Sequence, residues 1–277
     1  MQSPKLDFTS RGLYIGGRWV APAEDKSFVS INPSNMEKLA DIPSAGEADV
    51  DKAVKTAKAA FKHWSRIQIK ERAGALERLA SRIEEEADAL ALIDAVDSGN
   101  AIVGMRADMI WTVDWLRYCA GLVTEIKGQT FSQGERHLNF TRRQPFGVVA
   151  KINPFNHPFR FCAEKAAAPL VAGNTVVIKG SEQAPLSSLR LGELCDGIFP
   201  DGVINIITGD GAVGAALVRH PDVSRIGFVG SVPTGRAIAK EAAAGLKRVS
   251  LELGGKNPIV IFPDAIPRRR RPPPLRV

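Results

Sequence analysis

The sequence predicts an α/β protein: a parallel sheet with flanking helices, preceded by an N-terminal helical segment and a β arm. Three observations predict it. Apolar residues before about position 123 recur at a 3.6-residue period, residues 129–143 turn polar and β-like, and from Val148 onward short apolar runs alternate with helical segments. The last rhythm is that of a parallel sheet with crossover helices.

After a short irregular lead, Val50, Ala53, Val54, Ala57, Ala60, Phe61 and Trp64 share one helix face, and Leu76, Leu79, Ile83 and Ala87 share the next. That second helix is expected to end near the breaker cluster Asp97-Ser98-Gly99-Asn100, and a third runs from about Met105 to Val123. Gln129 to Arg143 sets Phe131, Leu138 and Phe140 among polar residues, an extended arm. Strands are expected at Val148 to Ile152, Thr175 to Lys179, Val203 to Thr208, Arg225 to Val229, Arg248 to Leu253 and Pro258 to Phe262. Helices fit between them at His157 to Leu170, Pro185 to Asp196, Ala212 to His220 and Pro233 to Gly245.

Composition narrows the class. With 277 residues, 44% hydrophobic and 24% charged, the chain is long enough for one large or two modest domains. Its longest apolar stretches, such as Ala166 to Ala172 and Gly202 to Thr208, fall short of the ~18 residues of a membrane span. Met1 to Lys5 lacks a signal-peptide pattern and three unpatterned cysteines make no disulfide framework, so a soluble, cytoplasmic protein is expected. Of the net charge of +7, five charges come from Arg268, Arg269, Arg270, Arg271 and Arg276, leaving a body near neutrality at +2 and no general case for nucleic acid.

In parallel sheets ligands sit beyond the carboxyl ends of the strands, so the loops there carry the candidates. Lys179-Gly180-Ser181-Glu182 places a lysine and a glutamate where they can grip a ribose, a solvated ion pair being the plainer alternative. Gly209-Asp210-Gly211-Ala212-Val213-Gly214 matches G-x-G-x-x-G, but the acid expected about 20 positions on is absent and a simple glycine turn explains it equally well. Gly230-Ser231-Val232-Pro233-Thr234 opens a helix and suits both an N-cap and a pyrophosphate. In Asn153-Pro154-Phe155-Asn156-His157-Pro158 two prolines bracket Asn156, whose amide can donate to an oxyanion or serve turn chemistry alone. Glu252, between Leu251 and Leu253 and before Gly254-Gly255, is a candidate general base.

Taken in order, the Asn153 to Pro158 turn, Lys179 to Glu182, Phe228-Val229-Gly230-Ser231 and Glu252-Leu253-Gly254-Gly255-Lys256 resemble the successive signatures of the aldehyde dehydrogenase superfamily, over about residues 12–265. The resemblance implies a Rossmann-like NAD(P)-binding domain over residues 1–253, with an oligomerisation arm at about 126–145 and a catalytic domain beginning at 254–265. It implies NAD(P)+-dependent oxidation of an aldehyde to a carboxylate by a cysteine thiolate. Asn156 would stabilise the oxyanion and Glu252 would activate the deacylating water. Cofactor contacts would come from Ile152, Asn153, Lys179, Ser181, Glu182, Gly209, Gly230, Ser231, Thr234 and Leu253, with Lys179 and Glu182 at the adenosine ribose. Glu182 favours NAD over NADP, because it repels a 2′-phosphate. Phe155, His157, Gly180 and Pro233 depart from the family's usual residues without removing a functional group, and His157 is expected to pack beside the substrate channel. The family's partners are a small aldehyde and further copies of the chain.

Beyond Asp264-Ala265 the chain turns to arginine and proline, and no cysteine follows Glu252. Cys119 and Cys195 lie in apolar helical patterns and Cys162 just past the asparagine turn, so none is expected to replace the nucleophile. The expectation is an aldehyde dehydrogenase truncated before its catalytic cysteine, with residues 266–277 an aberrant, disordered tail of shifted-frame character and the catalytic domain largely missing. The alternative is a non-catalytic nucleotide- or partner-binding module on the same fold. A tail that binds nucleic acid or a polyproline groove is disfavoured, since terminal charge runs are usually solvated.

Overall fold

A computed structural model describes residues 12–265; the Arg/Pro tail expectation for 266–277 lies outside the described residues. The chain opens with β1 (Leu13–Ile15) and β2 (Arg18–Val20), an antiparallel hairpin. Its two-residue loop is Gly16-Gly17, both at positive φ (65° and 73°), the conformation that a tight hairpin of matching twist demands. A second ribbon, β3 (Ser27–Ile31) with β4 (Lys38–Pro43), follows. These four strands replace the irregular lead expected there. They escaped notice because β1 and β2 are three residues each, too short to show a period of two, and because Tyr14 of β1 pairs with Ile206, far along the chain.

Four helices come next: α1 (Glu47–Trp64), α2 (Ile69–Glu85), α3 (Ala87–Ser98) and α4 (Ile102–Gly121). The helix expected to run unbroken to residue 97 is thus two, divided at Glu86 (φ −105°, ψ 11°). Gly99 ends α3 in the left-handed conformation, φ 75°, as a C-terminal glycine should. The arm is a small ribbon of β5 (Thr130–Ser132) and β6 (Leu138–Phe140), with Phe131, Leu138 and Phe140 exposed.

The α/β part then runs β7 (Val148–Ile152), α5 (Pro158–Val171), β8 (Thr175–Lys179), α6 (Leu186–Cys195), β9 (Ile204–Ile207), α7 (Gly211–Arg219), β10 (Val223–Gly230), α8 (Val232–Ala244) and β11 (Arg248–Leu253). The sheet order is β11-β10-β7-β8-β9-β1-β2. The five strands from β11 to β9 are mutually parallel and β1 joins β9 antiparallel. From β7 the chain steps outward to β8 and β9, then returns to the other side of β7 for β10, so the switch point lies between β7 and β10. Pro258 to Phe262, expected as a strand, has no regular structure, and Ile259, Val260, Ile261 and Phe262 are exposed. An apolar run becomes a strand only where a neighbour can pair with it, and among the described residues none lies beyond β11.

Alternation along β7 divides the core into two layers. Val149 faces a cluster built with α2 to α6 and Trp64 at the end of α1, including Leu116, Phe159 and Leu170. Val148, Ala150 and Ile152 face a second cluster with α1, α7 and α8. Helix α3 ties the first layer to the site, because two of its carboxylates cap other helices. Asp94 Oδ2 accepts from the N–H of Phe159 in the first turn of α5 (3.2 Å), and Asp97 Oδ2 accepts from that of Leu186 at the start of α6 (2.9 Å). Burial pushes the Asp94 carboxyl up to about 7 and the Asp97 carboxyl up to about 6.

Candidate functional site

At the switch point a cleft of about 410 Å³ opens between α7 and α8, beyond the carboxyl ends of β7 and β8. Ile152 and Asn153 form part of its floor, Lys179 and Glu182 one side, and Thr234 the start of α8. Lys179 is buried, and its Nζ lies 2.8 Å from Glu182 Oε2, whose side chain is about half exposed. The backbone N–H of Asn153 donates to Lys179 O (3.0 Å), locking the two strand ends together. Ser231 caps α8 by accepting from the N–H of Thr234 (3.3 Å), and its hydroxyl lies 2.8 Å from that of Thr234. The cap leaves the first turn of α8 directed at the cleft, where its partial positive charge favours an anion.

The glycine run is not a bare reversal. Asp210 Oδ1 accepts from the N–H of Ala212 (2.9 Å) and starts α7, and Gly211 and Gly214 then line the cleft. A Cβ on Gly214 would meet only Ile152 Cδ1, at 3.9 Å, so the missing side chain leaves open space for a ligand. Gly209, at φ 143°, is required by the backbone, and a Cβ there would press on Val213 at 2.5 Å. Ala215 and Val218 of α7 and Ala237, Ile238 and Glu241 of α8 also line the cleft. None was picked out from the sequence, although Gly211, Gly214, Ala215 and Val218 follow the helical three-and-four spacing.

Ile152, Asn153, Lys179, Glu182 and Thr234 therefore come together in one cleft, with Ser231 bonded to Thr234 at its rim. Ser181, Gly209, Gly230 and Leu253 do not line it. Ser181 Oγ accepts from the N–H of Gln183 (3.2 Å) in the turn, Gly230 lies under the Phe228 ring, and Leu253 packs against Gly235. Asn156 and Glu252 also lie outside it. Asn156 is exposed, and its carbonyl accepts from Asn100 Nδ2 (2.8 Å).

Glu252 shows why strand alternation matters. Leu251 and Leu253 precede and follow it in sequence but project to the opposite face, so they do not surround the carboxylate. Its side chain is about half exposed and pairs with Lys165 Nζ of α5 (2.9 Å). Lys165 also holds Glu164 (3.0 Å), Glu164 holds Arg160 (2.9 Å), and Arg160 reaches Asp108 of α4 (3.2 Å), which binds His157 Nδ1. Burial works to lower the Lys165 ammonium, but its bonds to Glu252 and Glu164 outweigh this and raise it. This relay runs from Glu252 to the residue after Asn156, and sequence reading could not find it because its members are spread over two helices and a strand.

The three cysteines are all buried. Burial pushes the Cys119 thiol up to about 11 and the Cys162 thiol up to about 12, and Cys195 is raised as well. Among the described residues no group of histidines, cysteines and carboxylates is placed to hold a metal, and no helix is long and apolar enough to cross a membrane.

Residues 19–268 match the model of the aldehyde dehydrogenase family. The chain is 41% identical over 256 residues to aldehyde dehydrogenase tropH of Talaromyces stipitatus, covering 91% of this chain and 50% of that protein. It is 41% identical over 261 residues to the human mitochondrial 10-formyltetrahydrofolate dehydrogenase, covering 91% of this chain and 28% of that one. Among solved structures, the NAD+ complex of an aldehyde dehydrogenase from Bacillus cereus superposes with a TM-score of 0.88 at 40% identity, covering 91% of this chain and 52% of that chain. The chain thus spans about half the length, or less, of these relatives.

Proposed function

The chain belongs to the aldehyde dehydrogenase family, and we propose that it forms the NAD(P)-binding part of an enzyme that oxidises an aldehyde to a carboxylate. The observation that carries this reading is the switch-point cleft, with the Lys179–Glu182 pair on one side and the capped start of α8 on the other. The residues fit a dinucleotide. The Glu182 carboxylate, steadied by Lys179, accepts from ribose hydroxyls, the α8 terminus with Ser231 and Thr234 takes the pyrophosphate, and Gly211 and Gly214 leave room beside α7. The nicotinamide, when bound, supplies a hydride acceptor.

Around the reacting carbon, the Asn156 amide donates to the developing oxyanion and Glu252 takes a proton from the water that releases the acid. Lys165 fixes the Glu252 carboxylate, and the relay through Glu164, Arg160 and Asp108 orients His157 beside Asn156. The acyl-transfer step needs a thiolate, and the three thiols present are buried and raised. The 277-residue chain by itself therefore binds the cofactor without turning over aldehyde. Glu182 makes NAD the preferred form, and the exposed Phe131, Leu138 and Phe140 of the arm pair with a second copy.

Calorimetric titration of the purified chain with NAD+ and NADP+ tests this. Saturable NAD+ binding, severalfold weaker in Glu182→Gln and tighter than NADP+, is expected, with no NADH formed from aldehydes and an oligomer by light scattering. Absence of saturable binding would sink the cofactor reading, NADH production would overturn the inactivity of the lone chain, and a monomer would remove the role of the arm.

A further inference from the structure

On the sheet face opposite the dinucleotide cleft, a second cleft of about 330 Å³ runs between α5 and the strands β7, β10 and β11. Pairing in register sets its floor. Lys151 of β7 stands opposite Gly227 of β10, which stands opposite Ser250 of β11, and Arg225 and Glu252 share that face. Lys151 lies across Gly227: a Cβ there would be 2.7 Å from Lys151 Nζ, so the lysine occupies the space that position 227 leaves open.

The charges facing this cleft do not cancel. Glu164 and Glu252 are both held by Lys165, and Glu164 is also held by Arg160. Lys151 is only 9% exposed and yet, like Arg225, makes no salt bridge among the described residues. The Arg225 guanidinium lies over the Phe146 ring (5.2 Å), and Arg248 is the further cation on this face, in an exposed position. The remaining lining is apolar or neutral and includes Trp115, Phe146, Val149, Pro169 and Asn174. A buried ammonium aimed into a cavity beside a second unpaired cation is costly unless an anion joins them.

We infer that this second cleft binds a small organic carboxylate, its anionic end between Lys151 and Arg225 and its apolar body against Trp115 and Phe146. An aromatic monocarboxylate matches both halves of the lining. Inorganic phosphate matches only the charged half, and a neutral amide only the apolar half. The cleft shares Glu252, Lys165 and Glu164 with the proposed aldehyde chemistry, but the inference rests on Lys151 and Arg225, and not on the dinucleotide reading, which concerns the other face of the sheet. Lys151 also supplies a proton readout. Burial first, then the neighbouring Arg225 and Lys165 charges, lower its ammonium to about 8, with Glu252 opposing. At pH 8 about half of it is neutral, and a bound carboxylate draws up to roughly half a proton from solvent.

Calorimetric titration of the 277-residue chain with benzoate, benzamide and inorganic phosphate tests this. Saturable benzoate binding is expected, weakened tenfold or more in Lys151→Met and in Arg225→Gln, both of which should retain a cooperative melting transition. Benzamide should not bind, and phosphate should bind more weakly than benzoate. For the unaltered chain, heats at pH 8 in two buffers of different ionisation enthalpy should show proton uptake, which needs no variant to fold. Absence of benzoate saturation, undiminished binding by folded Lys151→Met, equal binding of benzamide or phosphate, or no proton uptake would each overturn the inference.

Discussion

Replacing Lys151 with methionine should stabilise this protein, and the gain should vanish in alkali. Methionine keeps the length and flexibility of the side chain over Gly227 and removes a buried charge that makes no salt bridge. The fall of the Lys151 ammonium from 10.5 to about 8 corresponds to about 3 kcal/mol of penalty on the charged form in the fold. Because the folded value lies below the unfolded one, the folded state binds fewer protons between pH 8 and 10.5. The penalty is therefore complete below pH 8 and fades as pH rises to 10.5. At pH 7 Lys151→Met should melt roughly 6–10 °C higher than the parent chain, and near pH 11 the two should melt together. Melting followed by circular dichroism from pH 6 to 11 measures the difference. A difference independent of pH, or a parent more stable than the variant at pH 7, would refute the assignment of Lys151 as an unpaired buried cation.

Other perturbations read other parts of the fold. Trp64 is buried, donates from Nε1 to Leu170 O (3.1 Å) and meets Phe199 edge-on, so Trp64→Ala should cost ~3–5 kcal/mol in urea unfolding. Asp94, raised to about 7 by burial, binds a proton more readily in the fold than in the unfolded chain, so the parent loses stability as pH rises from 4 to 7. Asp94→Asn should remove that slope and gain on the order of a few kcal/mol relative to the parent by pH 8; parallel pH profiles would count against it. Gly214→Val should leave melting within ~3 °C, since the new Cβ meets only Ile152 at 3.9 Å and valine suits a helix no worse than glycine. Its methyls enter the cleft and should weaken NAD+ binding at least tenfold, and unchanged affinity would place the dinucleotide elsewhere.

The strands β7, β8 and β11 were legible to the residue, because β7 and β8 are short, mainly apolar runs bounded by turn chemistry and β11 alternates polar with apolar residues before Gly254-Gly255. The Lys179–Glu182 pair and the Ser231 cap were legible too, since their partners lie three residues apart. The first ribbons were not. A three-residue strand has no period to read, and β1 is held by a partner in β9 that no local signal announces. The run Pro258 to Phe262 misled for the converse reason, having the composition of a strand and nothing described to pair with.

What the sequence determined alone is the local chemistry: which residues cap, which turn, and which loops follow the strands of a parallel sheet. Only the tertiary structure decided which face each side chain serves. Pairing register sends Ile152 to the dinucleotide cleft and its neighbour Lys151 to the opposite one, and it removes Leu251 and Leu253 from around Glu252 while delivering Lys165 to it. The physical reason is that charge pairing and burial act through space over a few ångströms, whereas the members of the Glu252 to His157 relay come from α4, α5 and β11, which only the packed sheet and its helices bring together.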